Sequence, residues 1–365
     1  MSSTLAVIYN SAKQWWLNKP VKPNIIKECG TLSQDSAKRV FVVVCGPAFD
    51  MNVPNAGMTC RMGWCHGFEE IGVPYVLISV FELASRLPEI PHPICFISCS
   101  DYAYLDKCNL RALKKNEHFV WVNTWFKSET EFYAKHSYQN NSDTKRLNEK
   151  IISSDPSFVF TIAPECSFEY FETWIQRGLK LVSLPLACDT AVYAGQTPDV
   201  PEFKGIEMAF VGGYWPYKAL QFDRYLKPYS DKLRVFGYSP WPYAGYGGLL
   251  PVHLEALLYE QARLSPSINE PHVEHMGIDM NERVFKVLGS GGMTITDVTP
   301  GYREWFGSDE LLVPESIGDY HDMVHDILKN DTLSSIYRER GRAAVLERHT
   351  YAHRAKAVLD YLGLE

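Results

Sequence analysis

Short runs apolar enough to be buried on both faces of a strand alternate along this chain with stretches whose apolar residues recur at helical spacing. The first strong run is Val40-Phe-Val-Val-Val-Cys45, continuous, rich in β-branched residues and closed by Gly46-Pro47. That pattern predicts a strand inside a parallel sheet covered on both sides. A loop follows over 48–57, then a helix over 58–71 stopped by Gly72. Further strands are predicted over 75–80, 93–98, 119–123, 158–162 and 179–183, with helical segments between them; the polar stretch 127–150 reads as a helical excursion on the surface. Strands alternating with helices at this spacing predict a parallel sheet with right-handed crossovers. Residues 1–38 stand outside the pattern as an N-terminal extension, with a strand over 4–9, an anchor at Trp15-Trp16 and an extended arm around Pro20 and Pro23.

Residues 185–205 lack periodicity, contain three prolines and read as an interdomain linker. A second series begins after them. Strands are predicted over 207–211, 233–236, 265–269, 293–297 and 311–314, and helices over 217–226, 253–263, 280–289, 320–329 and 333–349. The last segment, 351–362, is amphipathic and suits a helix that packs back on the first domain. The predicted fold is therefore α/β, with two Rossmann-like doubly wound domains over 39–184 and 206–350 and a C-terminal crossover helix in 351–365. The carboxyl edges of the two sheets would face each other across a cleft, where ligand sites are expected.

Composition narrows the class. At 365 residues each domain can bury its own core without a disulfide or metal staple. A net charge of -7 argues against an electrostatic footprint for duplex nucleic acid or an anionic membrane. The nine cysteines fall mostly inside apolar patterns and show no paired metal spacing, which reads as buried reduced thiols in a cytoplasmic protein. No apolar run is long enough to span a membrane, and the N-terminus has no signal-peptide pattern.

The candidate chemistry gathers in the second domain. Gly212-Gly213 directly follow a strand, and Lys218 precedes the next helix. Bare backbone N–H groups and a lysine there suit a diphosphate, although an ordinary turn has the same outline. The loop 237–248 is rich in glycine and aromatics, and Tyr238 either stacks on a base or sugar or helps cover the sheet edge. Asn269 ends a strand. Asn281 opens a helix, with Asp279 as the alternative cap, and Arg283 lies in its first turn, where a cation opposes the helix dipole unless an anion is bound. His272, Glu274 and His275 stand in H-x-E-H order, but nearby Pro271 and Gly277 break the single helical face a metal would need, so no metal is expected. In the first domain Asp50, after the first strand, and His66 are candidate general bases.

The segment Asn281-x-Arg283-Val-Phe-Lys286-x-Leu-Gly-Ser-Gly291-Gly-x-x-x-Thr-Asp297 resembles the GT-B-fold glycosyltransferases of the spore maturation protein CgeB-like branch, relatives of the family 4 (group 1) transferases. Tyr302-x-x-x-Phe306, Glu310-Leu-Leu-Val313 and His349-Thr-Tyr-x-x-Arg354 support the resemblance. It covers about 185–362 closely and 39–183 in architecture only. It implies a nucleotide-diphosphate-sugar donor on the second domain, an acceptor on the first, no cofactor and no obligatory metal. The acceptor is open: a glycan, a small molecule, a protein or a modified nucleobase. On this resemblance Gly212, Gly213, Lys218 and Arg283 would hold the diphosphate, while Tyr238, Asn269 and Asn281 would contact nucleoside or sugar. Asp50 would be the base if the reaction inverts. Lys286 is also expected on the donor side, although it departs from the pattern, because the family usually has a glutamate there that binds the donor ribose.

Two rivals stay open: a GT-B-like enzyme that hydrolyses or epimerises the nucleotide sugar, and a non-catalytic nucleotide-sugar or glycan-binding protein. A nicotinamide dehydrogenase is disfavoured, since neither domain carries the glycine fingerprint of dinucleotide binding.

Overall fold

The computed structural model describes residues 28–29, 39–47, 55–122, 141–195, 201–271, 273 and 280–364. Its first sheet contains β1 (Glu28–Cys29), β2 (Val40–Cys45), β3 (Tyr75–Ser79), β4 (Pro93–Ser98), β5 (Glu117–Val122), β6 (Phe158–Thr161) and β7 (Leu181–Ser183). The strand order is β1-β3-β2-β4-β5-β6-β7. Pairing is parallel from β3 to β7, and β1 lies antiparallel on the edge. The uninterrupted burial of β2 has a simple cause: alternate side chains enter different cores. Phe41, Val43 and Cys45 pack on one face, and Val40, Val42 and Val44 on the other.

The second sheet has β8 (Met208–Val211), β9 (Leu233–Phe236) and β10 (Gly245–Tyr246) in the order β10-β9-β8, all parallel. The expected strands over 265–269, 293–297 and 311–314 differ from the prediction. They continue the sheet through single parallel bridges, Met208 to Leu264, Ser267 to Thr296 and Ile295 to Leu312, rather than as full ladders. Side chains take part in joining them, as where Thr294 Oγ1 donates to Ser265 O at 2.7 Å. Two further departures are local. The glycine-rich loop supplies the edge strand β10, whose end is fixed by Gly247 N donating to Val235 O at 2.8 Å. The helix expected over 217–226 opens instead with a tight turn, Pro216–Lys218, and is α-helical over Ala219–Tyr225; proline at the start supplies a preset φ but no N–H.

Three helices place the site: α1 (Ala56–Glu70), α3 (Glu282–Gly289) and α4 (Tyr351–Leu362), with α2 (Val252–Gln261) supporting α3. Helix α4 begins on a Thr350–His353 capping box and returns to the first sheet's layer, packing on α1. Gly63 and Gly67 make the contact possible, one turn apart on α1. A Cβ on Gly63 would collide with the Tyr351 ring, and one on Gly67 would sit 2.5 Å from the Tyr351 carbonyl oxygen. Gly67→Ala should therefore destabilise the protein by about 1–3 kcal/mol through overpacking, less the ~1 kcal/mol that alanine gains in helix propensity. A urea midpoint equal to or above wild type would contradict this close approach.

Candidate functional site

At the carboxyl edge of the second sheet, β8 ends at Val211 and the neighbouring 264–269 segment ends at Asn269. Helix α3 points its N-terminus at the same edge. Asn281 is its cap: the residue is extended, at φ -77 and ψ 156, and its Oδ1 accepts from Arg283 N at 2.9 Å. The guanidinium of Arg283 leaves the helix terminus. It lies over the Phe210 ring, 4.0 Å from the centroid, and Nη2 donates to Val211 O at 2.8 Å. This arrangement relieves much of the conflict between a first-turn cation and the dipole, and stations the charge at the end of β8.

The glycines there answer to space. A Cβ on Gly212 would lie 3.0 Å from the Phe210 ring and 3.4 Å from Arg283 Nη2, while one on Gly237 would meet Gly212 O at 2.7 Å. Gly213 lies under the Trp215 indole, which is 46% exposed. Tyr238, after β9, is 55% exposed.

Beneath this edge is a buried polar net. Asp297 accepts from Asn269 N at 2.9 Å and, through its other oxygen, from Asn269 Nδ2 at 2.8 Å and Thr299 Oγ1 at 3.1 Å. Asn269 Oδ1 accepts from Asn281 Nδ2 at 3.1 Å and from Tyr302 OH at 3.3 Å. Ser267 Oγ donates to Asn281 Oδ1 at 3.0 Å. Lys218 Nζ donates to Ile268 O at 2.9 Å and to Glu270 Oε1 at 3.4 Å, and burial lowers its pKa. Lys218, Asn269, Asn281, Arg283 and Gly212 thus meet at one sheet edge. Asp297, Thr299, Tyr302 and Ser267 join them without having been singled out from the sequence as site residues. Asp297 carried a usable signal, since it closes a predicted strand beside the one ending at Asn269.

Burial pushes the Asp297 carboxyl up from 3.8 to about 6, against the hydrogen bonds from Asn269 and Thr299 that favour its charged form. A carboxyl whose folded pKa lies above its unfolded value binds protons more tightly in the native state. Its contribution to stability therefore falls as pH rises from about 4 to about 6 and is flat above. The wild type, relative to Asp297→Asn, should lose on the order of 3 kcal/mol between pH 4 and 7. Urea titrations of both proteins across that range check the sign; a difference that grows with pH would refute it.

Lys286 lies apart from the edge. Its ammonium is buried, paired with Glu282 at 2.7 Å and Glu255 at 3.8 Å, and donates to Thr59 Oγ1 at 3.1 Å. Burial works against its charge, but the carboxylates of Glu282 and Glu255 outweigh it and hold the pKa above the ordinary lysine value. His66 Nδ1 lies 2.8 Å from Asp189 Oδ2. Asp50, His272, Glu274, His275 and Asp279 lie outside the described residues. At the carboxyl edge of the first sheet, Arg61 forms a buried ion pair with Asp101 at 2.6 Å and donates to Val44 O at 3.0 Å, joining helix α1 to the ends of β2 and β4.

Residues 202–360 match a family model described as glycosyl transferase-like. Among solved structures, T4 phage β-glucosyltransferase in complex with its UDP-glucose substrate is similar at a TM-score of 0.54 and 12% identity, over 89% of this chain and 100% of that one. Anabaena HepE in complex with UDP and glucose gives 0.57 and 8%, over 89% and 99%. The E. coli trehalose-6-phosphate structure bound with UDP-2-fluoro glucose gives 0.60 and 9%, over 88% and 98%. The chain has the GT-B fold. No curated protein sequence matches it. In GT-B terms the Arg283 edge belongs to the C-terminal unit, and α4 is the helix that crosses back. Among the described residues no helix is long and apolar enough to cross a membrane.

Proposed function

We propose that this protein is a glycosyltransferase of the CgeB-like branch that moves a hexosyl or pentosyl group from a nucleotide-diphosphate sugar to an acceptor hydroxyl in the cytoplasm. One observation carries the reading: the Arg283 guanidinium is anchored at the end of β8, beside the Asn281-capped N-terminus of α3. In the reaction the acceptor oxygen bonds to the anomeric carbon as the bond from that carbon to the diphosphate oxygen breaks. The electron pair leaves with the diphosphate, and the acceptor proton passes to a base. Arg283, the α3 N-terminus and the N–H group of Gly213 meet the developing charge on the diphosphate, with Lys218 adding to the positive potential of the edge. The expected part of the Gly212 N–H falls away, because it is given to Phe236 O at 2.8 Å. A bound metal is not needed for that charge. Asn281 contacts the nucleoside or sugar, and the exposed face of Tyr238 suits the nucleoside base. The expected contact from Asn269 falls away, because its buried amide is spent on Asp297, Tyr302 and Asn281, so it holds Asn281 in place instead. Asp50 is the base if configuration inverts. Because Lys286 is committed to buried carboxylates, the ribose is held by other groups.

The glycosyltransferase-like match over 202–360 and the UDP or UDP-sugar complexes of structures sharing the fold support this reading. The test is incubation with labelled UDP-, GDP-, ADP- and CDP-sugars, with and without a panel of glycan, small-molecule, protein and modified-nucleobase acceptors. Diphosphate released only with an acceptor is the expected result. Release without an acceptor would indicate a hydrolase, and binding without turnover would indicate a nucleotide-sugar-binding protein.

A further inference from the structure

The contacts of Lys286 reach beyond the second sheet. Thr59 lies in the first turn of α1, directly after the loop that follows β2, whereas Glu282 and Lys286 lie one turn apart on α3. Thr59 Oγ1 donates to Glu282 Oε2 at 2.7 Å and accepts from Lys286 Nζ at 3.1 Å, so its single proton and its lone pairs are both used. The same Glu282 oxygen pairs with Lys286 at 2.7 Å, and Glu282 Oε1 accepts from Tyr351 OH of α4 at 3.3 Å. Glu255 on α2 completes the charge around Lys286 and accepts from Tyr193 OH at 2.7 Å. Thr59, Glu255, Glu282 and Lys286 are all buried.

We infer that Thr59, Glu282 and Lys286 form an interdomain latch that holds the donor helix α3 at a set distance from the acceptor side, and that they are positioning residues for transfer. Glu282 is the residue immediately after the cap Asn281 and immediately before Arg283, so fixing its carboxylate fixes the start of α3. Separating α1 from α3 would break the buried Thr59–Glu282 hydrogen bond and leave the carboxylate short of a donor, a cost that keeps the two units in register. Transfer depends on a short approach between acceptor oxygen and anomeric carbon, and a small displacement of α3 against the first sheet lengthens it. The effect on transfer rests on the donor reading above; the latch itself does not.

Thr59→Val removes the hydroxyl and keeps both shape and the Glu282–Lys286 pair; Thr59→Ser keeps the hydroxyl. With whichever of UDP, GDP, ADP or CDP the wild type binds most tightly, Thr59→Val should keep the diphosphate Kd within about twofold while kcat falls about tenfold, and Thr59→Ser should recover most of the rate. Wild-type kcat in Thr59→Val, or loss of diphosphate affinity in step with kcat, would overturn the inference. Small-angle scattering reads the latch without any substrate: Thr59→Val should be more expanded than wild type and Thr59→Ser should not. An unchanged radius of gyration rejects the latch. Scattering that follows the expected pattern in a wild-type protein lacking both turnover and diphosphate binding would reject the donor reading alone.

Discussion

Arg283→Ala is expected to lower kcat with the true donor by about two orders of magnitude, equivalent to ~3 kcal/mol in the barrier. The guanidinium is held in place before any ligand arrives, stacked on Phe210 and tied to Val211 O. It therefore meets the developing charge of the diphosphate with little reorganisation. Its planar face and multiple donors also set the expectation for Arg283→Lys, which should recover only part of the rate, because an ammonium cannot stack on Phe210 and hold the Val211 carbonyl in the same geometry. Steady-state kinetics with the donor identified from the nucleotide-sugar panel checks both variants. Wild-type turnover in Arg283→Ala would remove the residue from the diphosphate site.

Lys286→Met should be the most damaging single substitution for stability, at about 3–5 kcal/mol. It leaves Glu282 and Glu255 buried near each other without the cation that both now face at 2.7 and 3.8 Å. The penalty is that of uncompensated buried charge, so it should shrink when one carboxylate is also neutralised. Lys286→Met with Glu282→Gln should be more stable than Lys286→Met alone. Urea denaturation of the two variants decides the matter: equal midpoints would mean that the carboxylates do not depend on Lys286.

Much of the fold was legible because it rests on local periodicity. Val40-Phe-Val-Val-Val-Cys45 has to be buried on both faces, and the structure places its alternate side chains in two separate cores. Helix 351–362 was readable for the same reason, and its return to α1 follows from an amphipathic face needing a partner. The strands expected over 265–269 and 293–297 were read correctly in place but not in extent, since one-residue bridges aided by side chains such as Thr294 leave no mark on an alternation pattern.

The site was legible in part. Residues at strand ends and helix starts, Gly212, Asn269, Asn281 and Arg283, are marked by position in the chain, and tertiary structure brings them to one edge. Arg283 gave a sign of its own, a cation at a helix N-terminus, but its partner Phe210 lies across a contact that no spacing rule reports. Asp297 became a site residue only through its bonds to Asn269 and Thr299.

Lys286 divides the two kinds of knowledge. Its identity could be read from the sequence, which placed it on a helix just after the donor-site cap. Glu282, four residues earlier on the same helix, is a local partner, but only the tertiary structure brought Thr59 and Glu255, 227 and 31 residues away in the chain, to the same ammonium and buried it. Periodicity records which face of an element is buried. The partner of a buried charge is set by what other elements bring to that face, and that information is not local.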